Sequence, residues 1–493
     1  MAEFEDSSEP DHVEPENTAK RPGAIFGVWG LAIFSFAFLA NVNATPQLAT
    51  FGLGALFIFA MAIFLFLTPT ALASTEMGTT WPKTGGIYVW TRMAFGEGAG
   101  FVIIWLEWAN FVVAWPGIMG GLTVQTAYVI DPGLEDNTAF IMAVVIFVTW
   151  IAAGIALRGL RTTGIFAWWA VVVGAVLPSV LLSALTVVYL VQGNPAAMDV
   201  SGDSLIPTFD FSTLAFMSGA LLMFSGIEIA AVHASEVKNP GHTIPRANLI
   251  TVILCAAVFA PMTLALAVLV PAADIDIVTG ALQAGDVLNE ALSLNWVTAA
   301  MGFCLVTGTI AALIQIINGP SRGLMIAGKQ GGNLPPILQT ENKLKMPVNI
   351  ILLQALISSV LAIGYSLLGS VQNAWFMFLL IQTNMTLIMY GMMFASLVKL
   401  RYSRPHKHRP YVIPGKKFGL WLTAGVGGLV CLFGIIISFV PTEEAAGMPG
   451  WVYIGILVLG TAAFVAAPFV FWIFRKPSWR TDPEAELADA EGR

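Results

Sequence analysis

Charge is scarce in this sequence. Asp, Glu, Lys and Arg together make up only 11% of the 493 residues, against about a quarter in soluble domains. So little polar surface excludes a water-soluble enzyme and a nucleic-acid binder. Cysteine is nearly absent: Cys255, Cys304 and Cys431 each stand alone in an apolar run. No disulfide framework or thiolate metal cluster follows from that spacing, and all three are expected in the core. There is no HExxH pair, no Gly-rich phosphate loop ending in Lys-Ser/Thr and no GxSxG elbow, and no cofactor is expected. A potassium-type selectivity filter is also missing. The intramembrane enzyme and channel classes marked by these signals are therefore set aside.

Hydrophobic residues reach 57% and the mean hydropathy is +0.78. Apolar runs long enough to span a bilayer fall near 24–46, 51–74, 98–129, 138–157, 163–191, 212–235, 247–270, 291–318, 348–369, 374–399, 418–440 and 451–474. A helix needs about 20 residues to cross, so twelve transmembrane helices use nearly the whole length. The runs are continuous rather than alternating, and about twice as long as a barrel strand, which excludes a β-barrel. The fold class is therefore an all-α polytopic membrane protein. The first 22 residues are acidic and have no apolar core, so no cleavable signal peptide is expected. Of the 30 acids, 12 lie in the tails 1–18 and 476–493, which read as solvated and disordered.

Threading twelve spans alternately puts all 23 Lys and Arg residues on one side. The opposite loops hold acids only, among them Asp131, Glu135, Asp199, Asp276, Asp286 and Glu443. Cations retained inside predict a multi-pass protein of the cytoplasmic membrane with both termini cytoplasmic. The basic loop 399–417 either touches anionic membrane lipid or simply marks topology.

Function then rests on the polar residues inside the spans. Two carboxylates lie well within them, Glu107 in the third and Glu228 in the sixth, and no Lys or Arg is expected at midplane depth. A buried carboxylate must be protonated, paired or functional. The bland alternative for each is a protonated acid bonded to a neighbouring helix. In the sixth span, Ser225-Gly226 directly precedes Glu228 at a point where a helix could unwind. A broken helix presents backbone groups suited to a zwitterion, although glycine can equally serve close helix packing. The first span carries Ser35-Phe36-Ala37 and then Asn41, Asn43, Thr45 and Pro46. These residues either interrupt the helix or end it. Two interrupted spans in corresponding positions point to an inverted-repeat transporter. His233, His242, His406 and His408 read as solvated residues of basic segments.

The segments 224–228 (Phe-Ser-Gly-Ile-Glu) and 236–247, beginning Glu-Val-Lys-Asn-Pro-Gly, resemble the amino acid-polyamine-organocation (APC) transporters. Supporting matches are Ala73 to Met77 with Gly85 to Trp90 after the second span, Asn318 to Gly323 after the eighth, and Arg409 to Gly415 before the eleventh. The Gly-Pro-Ser-Arg-Gly segment is most similar to the bacterial glutamate/GABA antiporter branch. The resemblance implies an inverted 5+5 repeat of the LeuT-like APC fold with broken helices 1 and 6, plus two appended helices. The implied divisions are a disordered tail 1–21, a first repeat 22–192, an extracellular loop 193–211 and a second repeat 212–400. A loop with the last two spans, 401–474, and an acidic tail, 475–493, complete the chain. Substrate-binding positions implied are Ile33, Phe34, Ser35, Phe36, Ala37, Phe224, Ser225, Gly226, Ile227 and Tyr390, with Glu228 coupling the site to protons.

Departures from the family pattern matter. Ser35-Phe36-Ala37 replaces a Gly-x-Gly, and Ala312 and Ile316 occupy the eighth-span positions where the antiporters carry Trp or acidic residues. The carboxyl-terminal segment is short, so plug-type gating is not expected. Glu107 adds a second negative group to the core and is expected, with Glu228, to take part in proton coupling. The expectation is exchange of an amino acid for its amine, a monomer or homodimer with small-molecule amino acid or amine substrates and no nucleic acid. Glutamate as a dianion is expected to be a poor substrate. The alternatives are proton-coupled uptake, for which no fifth-span lysine is present, and a non-transporting sensor or partner-dependent subunit.

Overall fold

The computed structural model describes residues 26–39, 42, 45–83, 85–135, 137–207, 221–228, 236–366, 371–440 and 449–481. These form α1 (Val28–Leu39), α2 (Thr45–Ala49), α3 (Gly54–Thr80), α4 (Ile87–Phe95), α5 (Glu97–Ile130), α6 (Thr138–Ala156) and α7 (Leu160–Val191). They continue as α8 (Pro240–Leu269), α9 (Gly280–Ala291), α10 (Val297–Gly331), α11 (Val348–Ser366), α12 (Val371–Ser403), α13 (Lys416–Ser438) and α14 (Gly450–Phe474). Among the described residues nine helices are long and apolar enough to cross a membrane, and α1 and the apolar part of α11 are shorter apolar helices. Most of the expected sixth span, 212–235, lies outside the described residues, as do Asn41, Asn43 and His233.

Several helices outrun their apolar stretches. Asn318 to Gly323, expected after a span, lies inside α10, which continues through Pro320 to Gly331. The extra turns need no apolar face because their polar groups find partners, such as Ser321 Oγ donating to Gln354 Oε1 at 2.9 Å. The helices α4 and α9 fall between the expected spans, their runs being too short and too polar to cross.

Two helices contain a wide π turn, Ile63–Leu67 in α3 and Val172–Val176 in α7, each followed within two residues by a proline, Pro69 or Pro178. Proline lacks the N–H that would close the preceding turn, which favours the wider winding. In α7 the wide turn carries Gly174, whose backbone lies against Gly308 of α10. A Cβ added at Gly308 would sit 2.2 Å from Gly174 Cα. Small residues let membrane helices approach this closely. Gly308→Leu is expected to destabilise the bundle by about 1–3 kcal/mol through overpacking, read as a lowered melting temperature in detergent.

Ion pairs gather at one end of the bundle. There Arg92 meets Glu97 at 2.5 Å, Arg322 meets Glu236 at 2.7 Å and Lys329 meets Glu341 at 2.9 Å. Phe26, just before α1, forms a two-bond bridge to the chain leaving the sixth span: its N–H donates to Glu236 O and its carbonyl accepts from Lys238 N. The opposite end is held by acids and hydroxyls, with Asp286 of α9 accepting from Tyr128 and from Thr298 Oγ1 at 2.6 Å. Both arrangements match the one-sided distribution of cations in the sequence.

Candidate functional site

The chain around residue 225 is not a continuous helix. Leu221–Phe224 form a single 3-10 turn, Ser225 and Gly226 leave it, and Gly226 takes φ +116°, a conformation that side chains with a Cβ rarely adopt. Unwinding frees backbone groups. The Gly226 N–H donates to the Tyr390 hydroxyl of α12 at 2.7 Å, and that hydroxyl donates to the Glu228 carboxylate. One phenol therefore joins a freed amide to a buried acid, and all three groups lie inside the bundle. Such a chain polarises itself in a low-dielectric interior.

Glu107 stands on the facing helix. In the antiparallel pair α5 and α12, Asn110 Nδ2 donates to Thr386 Oγ1 and, at 3.1 Å, to Gln382 O. One helical turn from Asn110 is Glu107, and one turn from Thr386 is Tyr390, so the register brings the two to the same level. Glu107 is 2% exposed, and among the described residues neither of its carboxylate oxygens has a hydrogen-bond partner. The reading of Glu107 as an acid bonded to a neighbouring helix is thus not what the geometry contains. The polar contact between these helices is made by Asn110 instead. None of the described buried residues is Lys, Arg or His.

Aromatic rings enclose the break. Tyr390 packs edge-on to Phe66 with centroids 5.1 Å apart, Phe224 to Phe59 at 5.7 Å, and Phe36 reaches Phe259 at 5.8 Å. Phe36, Phe224, Gly226, Glu228 and Tyr390 are therefore brought into one neighbourhood, with Ser225 and Ile227 in the chain between them. Phe34 instead stacks on Phe26 and Phe38.

The first span differs from expectation. Ile33 to Ala37 are regular α-helix, Leu39 is the last described residue of α1, and the expected interruption at Asn41 and Asn43 lies outside the described residues. Ser35 does not open the helix because its hydroxyl donates to Leu31 O at 2.8 Å within the same turn. Neighbouring carbonyls are engaged from outside: Phe34 O accepts from Gln315 Nε2 of α10 at 2.7 Å, and Ala32 O from Thr251 Oγ1 of α8 at 3.2 Å.

A profile described as amino acid permease matches residues 22–464. The chain belongs to the amino acid permease family. It is 30% identical to an uncharacterized transporter of Legionella pneumophila, over 92% of this chain and 97% of that protein. A glutamate/gamma-aminobutyrate antiporter of Lactococcus lactis is 28% identical over 91% of this chain and 90% of its own. The "Probable agmatine/putrescine antiporter" of the same species is 22% identical over 84% and 87%. The family lies in the APC superfamily, with antiporters among the relatives, so this permease is a multi-pass transporter of amino acids or amines and not an enzyme.

Sequence reasoning missed Gln315. Its amide grips the first span while its Oε1 is buried without a partner. A lone glutamine in an apolar span carries the same signal of an expensive polar group as a carboxylate does. The aromatic partners Phe59, Phe66 and Phe259 were also missed, since phenylalanine in an apolar run has no distinguishing mark.

Proposed function

We propose that this permease exchanges an amino acid for a related amine, such as its decarboxylation product, by alternating access across the cytoplasmic membrane. The proposal includes twelve spans in an inverted 5+5 repeat with two appended helices, and both termini in the cytoplasm. The break at Ser225-Gly226 supports a broken sixth span, and a broken first span in the corresponding position is part of the proposal. Phe36, Phe224 to Ile227 and Tyr390 would border the substrate, with the backbone at Ser225 and Gly226 meeting its α-amino and carboxyl groups. Ile33, Phe34, Ser35 and Ala37 contribute through the α1 backbone. Glu228 would take up and release the coupled proton.

The observation that carries this reading is the pair of buried carboxylates, one bonded through Tyr390 to the broken helix and one with no donor among the described residues. A bare carboxylate in a region without fixed cations favours a ligand that brings its own positive charge. An amine or a zwitterion meets that demand, whereas a dianionic amino acid does not. The antiporter names of two relatives support exchange without naming this substrate.

Counterflow in proteoliposomes tests the reading. Preloading with an amino acid should accelerate uptake of its amine, and equal rates in loaded and empty vesicles would favour proton-coupled uptake instead. Glu107→Gln is expected to raise the KM for the amine by about 10-fold, equivalent to about 1.4 kcal/mol, with a smaller effect on the zwitterion. Vigorous uptake of glutamate at neutral pH would overturn the assignment.

A further inference from the structure

Beyond the substrate site, the ends of three helices leave a groove of about 430 Å³ lined by Gly98 and Phe101 of α5, Ile388 and Met392 of α12, and Phe469 and Trp472 of α14. Its lining is almost wholly apolar side chain. It lies at the end of the bundle where the cations gather, because α5 begins there and α12 and α14 end there. Two cations frame it. On α12, Ile388, Met392 and Lys399 follow one another at four- and seven-residue steps along one face. The Lys399 ammonium lies 4.4 Å above the ring of Phe95, which is three residues before Gly98. On the other wall, the Arg475 guanidinium lies 3.5 Å above the ring of Trp472, and a Cβ added at Gly98 would lie 3.4 Å from that ring. Neither cation has a carboxylate partner among the described residues, whereas Arg92, Arg322, Lys329 and Arg401 are all neutralised in ion pairs.

An apolar slot rimmed by unpaired cations at headgroup level complements one molecule of the surroundings, a lipid with a negative headgroup. We propose that the groove seats an acyl chain of an anionic phospholipid whose phosphate is held by Lys399 and Arg475. The aromatic rings beneath the two cations hold them at the rim, so their charge is available to a headgroup without a large ordering cost. The site is independent of which substrate the permease carries.

Native mass spectrometry of the full chain, extracted from phosphatidylcholine vesicles containing about one-fifth phosphatidylglycerol, tests this. Phosphatidylglycerol should be retained in preference to phosphatidylcholine. Each cation removed should weaken retention about fivefold, and Lys399→Gln with Arg475→Gln together about 30-fold. Ala99→Phe, which fills the groove and leaves both cations in place, should also abolish retention; a diffuse surface attraction would survive it. Melting temperature in detergent checks that each variant is folded. Equal retention of the two lipids, or undiminished retention in the charge-free variant, would overturn the proposal. So would a lipid-independent dimer dissociated by Ala99→Phe, since a second copy would then be the occupant.

Discussion

Replacing Glu228 with glutamine is expected to cut exchange by roughly 10- to 100-fold, the factor that corresponds to losing a charge-assisted hydrogen bond of about 1.5–3 kcal/mol. The substitution keeps size and an acceptor oxygen for Tyr390 but removes the ionisable group. Flux should fall, and its dependence on pH between about 5 and 8 should flatten, because no proton can then be exchanged at that position. Tyr390→Phe breaks the same chain from the other side, removing both the donor to Glu228 and the acceptor for the Gly226 N–H. The two effects should be far from additive, since both variants disable one network. Radiolabelled exchange in proteoliposomes across that pH range is the measurement. A correctly inserted Glu228→Gln protein with unchanged flux and an unchanged pH profile would sink the role given to Glu228.

The second large effect belongs to stability. Glu76, near the end of α3, is 2% exposed and accepts from Arg401 of α12 through both oxygens, at 2.8 Å from Nε and from a terminal nitrogen on the other side. It also accepts from the Ile413 N–H at 2.9 Å and lies 3.4 Å from Arg409 Nε. One carboxylate thus ties two helices to the loop between α12 and α13. Burial lowers the pKa of Arg409 from its ordinary value, and the neighbouring Glu76 charge works against that lowering. Arg409 in turn donates to the carbonyls of Leu400 and Arg404, capping the end of α12. Removing one partner of such a buried cluster leaves uncompensated charge and costs about 3–5 kcal/mol. Glu76→Gln should therefore lower the melting temperature by roughly 5 °C, more than Arg401→Gln, because the latter leaves Glu76 its contacts with Arg409 and the Ile413 N–H. Thermal unfolding of the purified variants decides the point. Equal, small shifts would mean that the cluster contributes little.

The membrane class, the helical class and the approximate position of the nine long apolar helices among the described residues were legible in the linear order of residues, because each depends on local composition. An apolar stretch in lipid can satisfy its backbone only as a helix, wherever its neighbours lie. The gathering of cations at one end was legible for the same reason. Glu228 and Ser225-Gly226 could be singled out because a carboxylate and a glycine break stand out against an apolar run. The first span shows the limit of that reasoning. Ser35 looked like an opening, but its hydroxyl can satisfy a carbonyl one turn back, and only the folded backbone distinguishes the two outcomes.

What the tertiary structure alone decided is which polar groups meet. Tyr390 and Glu228 are 162 residues apart, Gln315 and Phe34 281, and Arg401 and Glu76 325. Those pairings depend on the register and rotation of helices packed side by side, and composition carries no information about either. The same is true of absences: among the described residues Glu107 has no partner, while Asn110, one turn away, makes the polar contact with α12. Local sequence decides that a residue is buried in a membrane helix, and the packing of distant helices decides whether it is satisfied there or left to find its partner in a ligand.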